Sequence, residues 1–218
     1  EADPILDGSF GKKLADLLPA KGLLNIAFWE LGFRQITNSK RALNKAEDID
    51  GLKIRVIQSP IYIDTFNALG ANAVPMPMTE VYTALEQRII DGQENPFSVV
   101  ETSKLNEVQK YLTVSNHMYN PQSVLASKKK WDTLTKDEQT LLATTAVEAT
   151  KWQRENSRKM AEESLNNLKK TMTVTVLPPD EIAKIRTKVK PVIDKFAASV
   201  GLELVKELQA ELEKGRKK

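Results

Sequence analysis

Apolar and polar positions follow two rhythms along this chain, and they change places repeatedly over its first half. The clearest period-two run is Gly51-Leu52-Lys53-Ile54-Arg55-Val56, a short strand with Leu52, Ile54 and Val56 on one face and Lys53 and Arg55 on the other. Asp48 to Gly51 supply the turn before it. Ser59-Pro60 closes it and opens a helix, with Ser59 as N-cap and Pro60 at the first helical position. Helical spacing is predicted for residues 60–69, stopped by Gly70, for 80–90 after a Thr79 cap, and for 97–108. Extended pieces are predicted at 23–29, continuing through 32–37, at 73–77 and at 111–115. Strand and helix therefore alternate over residues 34–116, the pattern of βαβ units and a mostly parallel sheet.

The second half reads differently. Residues 9–18 near the start and 202–214 near the end are short amphipathic helices, and 122–127 is a strand candidate. Thr135-Lys136-Asp137-Glu138 is a capping box, and helical spacing then runs to about residue 170 without Gly or Pro. At 1.5 Å per residue that is roughly 50 Å, longer than a small lobe is wide. Its apolar positions keep no heptad, so a helix bracing two lobes is expected rather than a coiled coil. Residues 173–177 alternate as a strand. Pro178-Pro179-Asp180 begins another helix, which Pro191 is expected to bend or break and Gly201 to end.

Composition narrows the function more than the fold. The 218 residues, 41% hydrophobic and 28% charged, suit a globular core in one large domain or two lobes. A net charge of +3 on 32 basic and 29 acidic residues argues against nucleic acid. The basic tail from Lys214 to Lys218 reads as a solvated end. Without cysteine there are no disulfides, thiolate metal sites or cysteine nucleophiles. No run of about 18 apolar residues is present to span a membrane. Glu1-Ala2-Asp3-Pro4 carries no export signal and does not read as a natural beginning.

Catalytic constellations are sparse. The single histidine, His117, reads as a structural or rim residue, and the rival class is a small hydrolase pairing it with a nearby serine. Glu47-Asp48-Ile49-Asp50 lacks the pattern of a calcium loop. Neither phosphate-binding glycine motif occurs, so no cofactor or metal is expected. Glu94 is the one carboxylate placed to matter. Arg55 draws more attention, because ligands of open α/β sheets bind at carboxyl ends of strands and a guanidinium fork matches a carboxylate. Taken singly, Arg34 reads as a strand residue, Asn95 as a turn residue, and Trp29, Phe33, Tyr62 and Phe66 as core.

Six blocks in order carry a resemblance: Gly32-Phe33-Arg34-Gln35-Ile36-Thr37, Asp48 to Val56, Leu69-Gly70-Ala71, Pro75 to Leu85, Asp91-Gly92-Gln93-Glu94-Asn95-Pro96 and Glu107 to Leu112. Together they resemble the substrate-binding proteins of tripartite ATP-independent periplasmic (TRAP) transporters, of the dicarboxylate-binding type. The resemblance implies a two-lobed α/β periplasmic binding protein fold with mostly parallel sheets, a long helix spanning both lobes and a ligand cleft between them. It places residues 1–31 and 120–158 in lobe 1, which it implies is incomplete in this chain. Lobe 2 would be residues 32–119 and 159–218 with the C-terminal helices.

The function implied is capture of a small organic acid in the periplasm by a monomer, and its delivery to the membrane subunits of a TRAP transporter. No catalysis, nucleic acid or membrane insertion is implied. The signature carboxylate-binding arginine falls on Arg55, a second ligand-facing arginine on Arg34 and an asparagine on Asn95. Gln58 and Glu94 complete the expected ligand set with Met78, which stands where sialic-acid binders carry an aromatic, so a smaller or more apolar acid is implied. Arg34, Arg55 and Asn95 are expected to converge because carboxyl ends of strands share one edge. Two guanidinium groups there would repel unless an anion lay between them.

Overall fold

The computed structural model describes residues 2–216. Glu1, Lys217 and Lys218 lie outside that range, and with them the end of the basic tail. The chain divides into two compact units. Unit 1 comprises Glu1–Leu31, Pro121–Ser157 and Ala197–Lys218, and unit 2 comprises Gly32–Asn120 and Arg158–Phe196. The elements in order are α1 (Ala2–Leu6), α2 (Ser9–Asp16), β1 (Leu23–Asn38), β2 (Lys53–Val56), α3 (Pro60–Ala68), β3 (Asn72–Pro75), α4 (Met78–Glu86), β4 (Gly92–Asn95), α5 (Phe97–Thr102), β5 (Tyr111–Ser127), α6 (Lys128–Trp131), α7 (Lys136–Leu168), β6 (Thr173–Val176), α8 (Pro179–Val200) and α9 (Leu202–Arg216).

Several boundaries depart from the sequence reading for local reasons. Residues 111–115 and 122–127 belong to one strand, β5. Asn116 takes a left-handed φ of 43° inside it and interrupts the alternation. α4 begins at Met78 behind Pro77 and uses no side-chain cap, so Thr79 is inside the helix. α5 stops at Thr102, and Lys104 (φ 55°) turns the chain into a separate 3-10 turn, Leu105–Glu107. Pro191 lies within α8 without ending it, and burial of Ile185, Val192 and Ala197 on either side holds the helix together.

The sheet order is β3-β2-β4-β1-β5-β6. β2 runs parallel to β3 and β4, and β5 runs parallel to β6. β1 runs antiparallel to β4, with Gln35 opposite Asn95 and Thr37 opposite Gln93. Gly92 permits this close pairing, since a Cβ there would stand 2.1 Å from the Thr37 carbonyl oxygen.

Unit 2 buries an apolar cluster on each face of its strands. One gathers Ile36, Ile54, Val56 and Phe66 with Leu177 and Ile185 of the α8 segment. The other gathers Val81, Leu85, Val100, Leu112 and Leu168 beneath α4, α5 and the end of α7. Each such side chain contributes about 1.5–3 kcal/mol by leaving water. Unit 1 leans more on polar ties. Arg154 grips the Asp7 carboxylate at 2.7 and 2.8 Å and the Phe28 carbonyl, and the Gln153 amide exchanges two 2.8 Å bonds with the backbone of Glu30. α7 is one unbroken helix of 33 residues that supplies both units, and β1 and β5 do the same.

The C-terminal assignment needs correction. Residues 159–218 were expected in the second lobe, yet Ala197–Lys218 group with unit 1. α9 packs on α1, and Lys13 pairs with Glu207 at 2.7 Å. No helix among the described residues is long and apolar enough to cross a membrane.

Candidate functional site

The site is built at the carboxyl end of β4, within unit 2. Strand alternation sorts its side chains between the two faces of the sheet. Gln93 lies opposite Thr37 on one side and Arg55 on the other, so these three share a face with Asn95. Glu94 lies opposite Ile36 and shares the other face with Arg34.

Arg34 is 1% exposed and fully engaged. Its Nε and Nη2 donate to the two carboxylate oxygens of Glu94 at 2.5 and 2.8 Å. Nη2 also reaches the Glu94 carbonyl at 2.6 Å and Asn95 Oδ1 at 2.9 Å, and Nη1 donates to Asn120 Oδ1 at 2.9 Å. The guanidinium lies 5.6 Å from the Tyr62 ring centre, and the Tyr62 hydroxyl accepts from the Asn120 amide at 3.0 Å. Glu94 has a second partner in His117 Nε2 at 3.3 Å. Burial, the largest single influence on Glu94, pushes its carboxyl up. The hydrogen bonds and charges of His117 and Arg34 outweigh it and hold the group below the ordinary carboxylate value.

Arg55 is 4% exposed and differently placed. Its Nε and Nη2 both donate to the Met76 carbonyl, at 2.8 and 2.5 Å, and it makes no ion pair among the described residues. Burial pulls its pKa down, the charge of Glu94 opposes this, and the charge of Arg34 adds to it. Two residues beyond Met76, the Met78 sulfur stands 3.9 Å from Asn95 Nδ2. The segment from Met76 to Met78 thus joins Arg55 to Asn95.

Of the six residues expected from sequence, Arg34, Glu94 and Asn95 form one hydrogen-bonded group, and Arg55 and Met78 adjoin it through that segment. Gln58 is exposed in the β2–α3 connection and bonds to none of them. In this structure the Glu94 carboxylate spans Nε and Nη2 of the Arg34 fork. The topological reason differs as well: Arg34 meets Asn95 because β1 is reversed against β4, not because both lie at carboxyl ends of parallel strands.

Sequence reasoning passed over Gln93, Thr37, Gln109 and Asn120. The available signal was polar residues at alternating positions of strands buried on both faces. The hydrolase alternative finds no support. Ser115 Oγ does lie 2.8 Å from His117 Nδ1, but Ser115 is 0% exposed, and the neighbouring Glu94 is already neutralised by Arg34.

A model of the family described as bacterial extracellular solute-binding protein, family 7, matches residues 1–199. This chain belongs to that family. The 2,3-diketo-L-gulonate-binding periplasmic protein YiaO of Escherichia coli is 38% identical over 207 residues, 94% of this chain and 63% of its own length. The chain thus spans less than two thirds of that relative. Among solved structures, the sugar acid binding protein DctPAm of Advenella mimigardefordensis, in complex with galactonate, superposes with a TM-score of 0.92 at 47% identity, over 98% of this chain and 69% of the other. A TRAP periplasmic solute-binding protein of Ochrobactrum anthropi, with its C-terminus bound in the ligand-binding pocket, gives 0.92 at 53% identity, over 99% and 68%. The family 7 solute-binding proteins are thus the frame in which Arg55 and Asn95 are read.

Proposed function

We propose that this protein is the periplasmic solute-binding component of a TRAP transporter, that it captures a small organic acid through Arg55, and that it hands the acid to membrane subunits. The observation that carries this reading is the state of Arg55: buried, held in place by one backbone carbonyl, and making no ion pair among the described residues. An uncompensated buried charge is unfavourable, and a carboxylate relieves it with two parallel charge-assisted bonds. Binding and removal of the penalty are then the same event. Since Arg34 and Glu94 cancel, the group keeps one net positive charge, which suits one carboxylate. Sugar acids such as the galactonate held by the Advenella protein carry one carboxylate and many hydroxyls. The reading implies binding without turnover, export to the periplasm and action as a monomer.

Calorimetry on the purified protein with galactonate, succinate and an uncharged hexose tests it. Carboxylates bind and raise the melting temperature, and the hexose does neither. Equal response to the uncharged sugar, or chemical conversion of an acid, overturns the proposal.

A further inference from the structure

A single file of hydrogen bonds starts at Arg34, crosses to the Arg55 face at Asn95 and leads away from the site. Arg34 Nη2 donates to Asn95 Oδ1 at 2.9 Å, Asn95 Nδ2 to Gln93 Oε1 at 2.6 Å, Gln93 Nε2 to Thr37 Oγ1 at 2.9 Å, and Thr37 Oγ1 to Gln109 Oε1 at 2.9 Å. Gln109 Nε2 ends the file on the carbonyls of Val108 at 3.1 Å and Asp91 at 3.4 Å. All five side chains are buried.

The two ends fix the sense of everything between them. A guanidinium only donates, so Asn95 must turn its oxygen to Arg34 and its amide nitrogen to Gln93. Gln93 must then present its oxygen to Asn95 and its nitrogen to Thr37, whose hydroxyl is left to donate onward. Backbone carbonyls only accept, so the last link admits no other orientation. Reversing any one amide sets two donors or two acceptors against each other in a dry interior, which is costly.

We propose that Gln93, Thr37 and Gln109 are positioning residues that lock the Asn95 carboxamide as a hydrogen-bond donor toward the bound acid. One Asn95 N–H is used by Gln93. The other meets only the Met78 sulfur at 3.9 Å, a weak acceptor that a ligand oxygen displaces. Asn95 left to itself could offer an oxygen or a nitrogen. Locked, it requires an acceptor beside the carboxylate, which selects acids bearing a hydroxyl or carbonyl oxygen there. This inference rests on the carboxylate reading of Arg55.

The test compares Thr37→Val, which keeps the shape of the side chain but neither accepts nor donates, with Thr37→Ser, which does both. Binding of galactonate to the whole protein is measured by calorimetry, and the Asn95 side-chain amide is followed by nitrogen-15 NMR, assigned by its loss in Asn95→Asp. Thr37→Val is expected to weaken binding about tenfold or more and to shift or broaden the Asn95 amide pair, while Thr37→Ser stays within about threefold of wild type. If Thr37→Val fails to fold, Gln109→Met interrupts the same file at its far end and carries the same expectation. An Asn95 amide pair unchanged in the Val or Met variant overturns the positioning role, whether or not any acid binds. Equal losses in the Val and Ser variants overturn it too, since they indicate packing alone. If the wild type binds no carboxylate while the amide pair still responds to Thr37→Val, the carboxylate reading falls and the locked file stands.

Discussion

Replacing Arg55 by methionine separates the two things a buried arginine can do. Methionine keeps an unbranched stem of similar reach and removes the charge and the fork. In the unliganded protein the Met76 carbonyl loses its donors, which costs about 1 kcal/mol per bond. Against that, the variant no longer buries a guanidinium that has no ion pair among the described residues, a penalty of up to several kcal/mol per ion. The unliganded Arg55→Met protein is therefore expected to be as stable as wild type within about 1 kcal/mol, or more stable. Binding responds in the opposite sense. Two charge-assisted bonds at about 1.5–3 kcal/mol each are lost, so affinity for galactonate falls at least about a hundredfold. Arg55→Lys restores the charge without the fork and is expected to fall between the two. Denaturant unfolding without ligand and calorimetry with ligand give both numbers. A Met variant destabilised by more than about 2 kcal/mol makes Arg55 a structural residue and refutes the reasoning, and so does a variant that binds within about tenfold of wild type.

The other substitutions probe the neighbours. Glu94→Gln is expected to destabilise the protein at pH 7 by about 3–5 kcal/mol, because it strips Arg34 of its counterion. The depressed carboxyl of Glu94 contributes stability above the ordinary carboxylate pKa of about 4.3 and loses it as pH falls through its lower folded value, so the gap between wild type and Glu94→Gln should close on acidification. Unfolding curves that stay parallel from pH 7 to about pH 3 contradict this. Met78→Trp, at the start of α4 beside Asn95, is expected to alter the ranking of acids of different size by about tenfold or more while costing less than about 2 kcal/mol of stability, as checked by competition calorimetry and thermal melts. Gln58→Ala, on an exposed connection, should leave both affinity and stability unchanged within about 0.5 kcal/mol.

Much of the unit 2 fold was legible because its strands are short and its helices are punctuated. Gly51 to Val56 reads as a strand from alternation alone, and Ser59-Pro60 and Gly70 bracket α3, although the Ser59 side chain makes no capping hydrogen bond. Elements that hinge on a single backbone angle were not legible. Asn116 at φ 43° lets β5 run on where alternation fails, and Lys104 at φ 55° ends a helix that composition would continue. Neither residue is a glycine; Asn116 carries only the weak left-handed preference of asparagine, and Lys104 carries none. The assignment of α9 to unit 1 was hidden for another reason. It depends on a surface ion pair between positions 13 and 207 and on packing against α1, and local pattern does not report such distant contacts.

The membership of the site was more legible than its electrostatics, and the reversed strand explains why. Had β1 run parallel to β4, the start of its unit 2 portion would sit at the edge opposite Asn95. Antiparallel pairing carries Arg34 to the carboxyl end of β4 instead, on the face where Glu94 points. That placement pairs one guanidinium with a carboxylate of the chain itself, so two arginines that look alike in sequence stand in different electrostatic surroundings. Arg34 becomes the anchor of the Glu94, Asn95 and Asn120 side chains. Arg55, on the other face, donates only to the Met76 carbonyl and makes no ion pair among the described residues. The family resemblance marks both residues, and strand direction tells them apart.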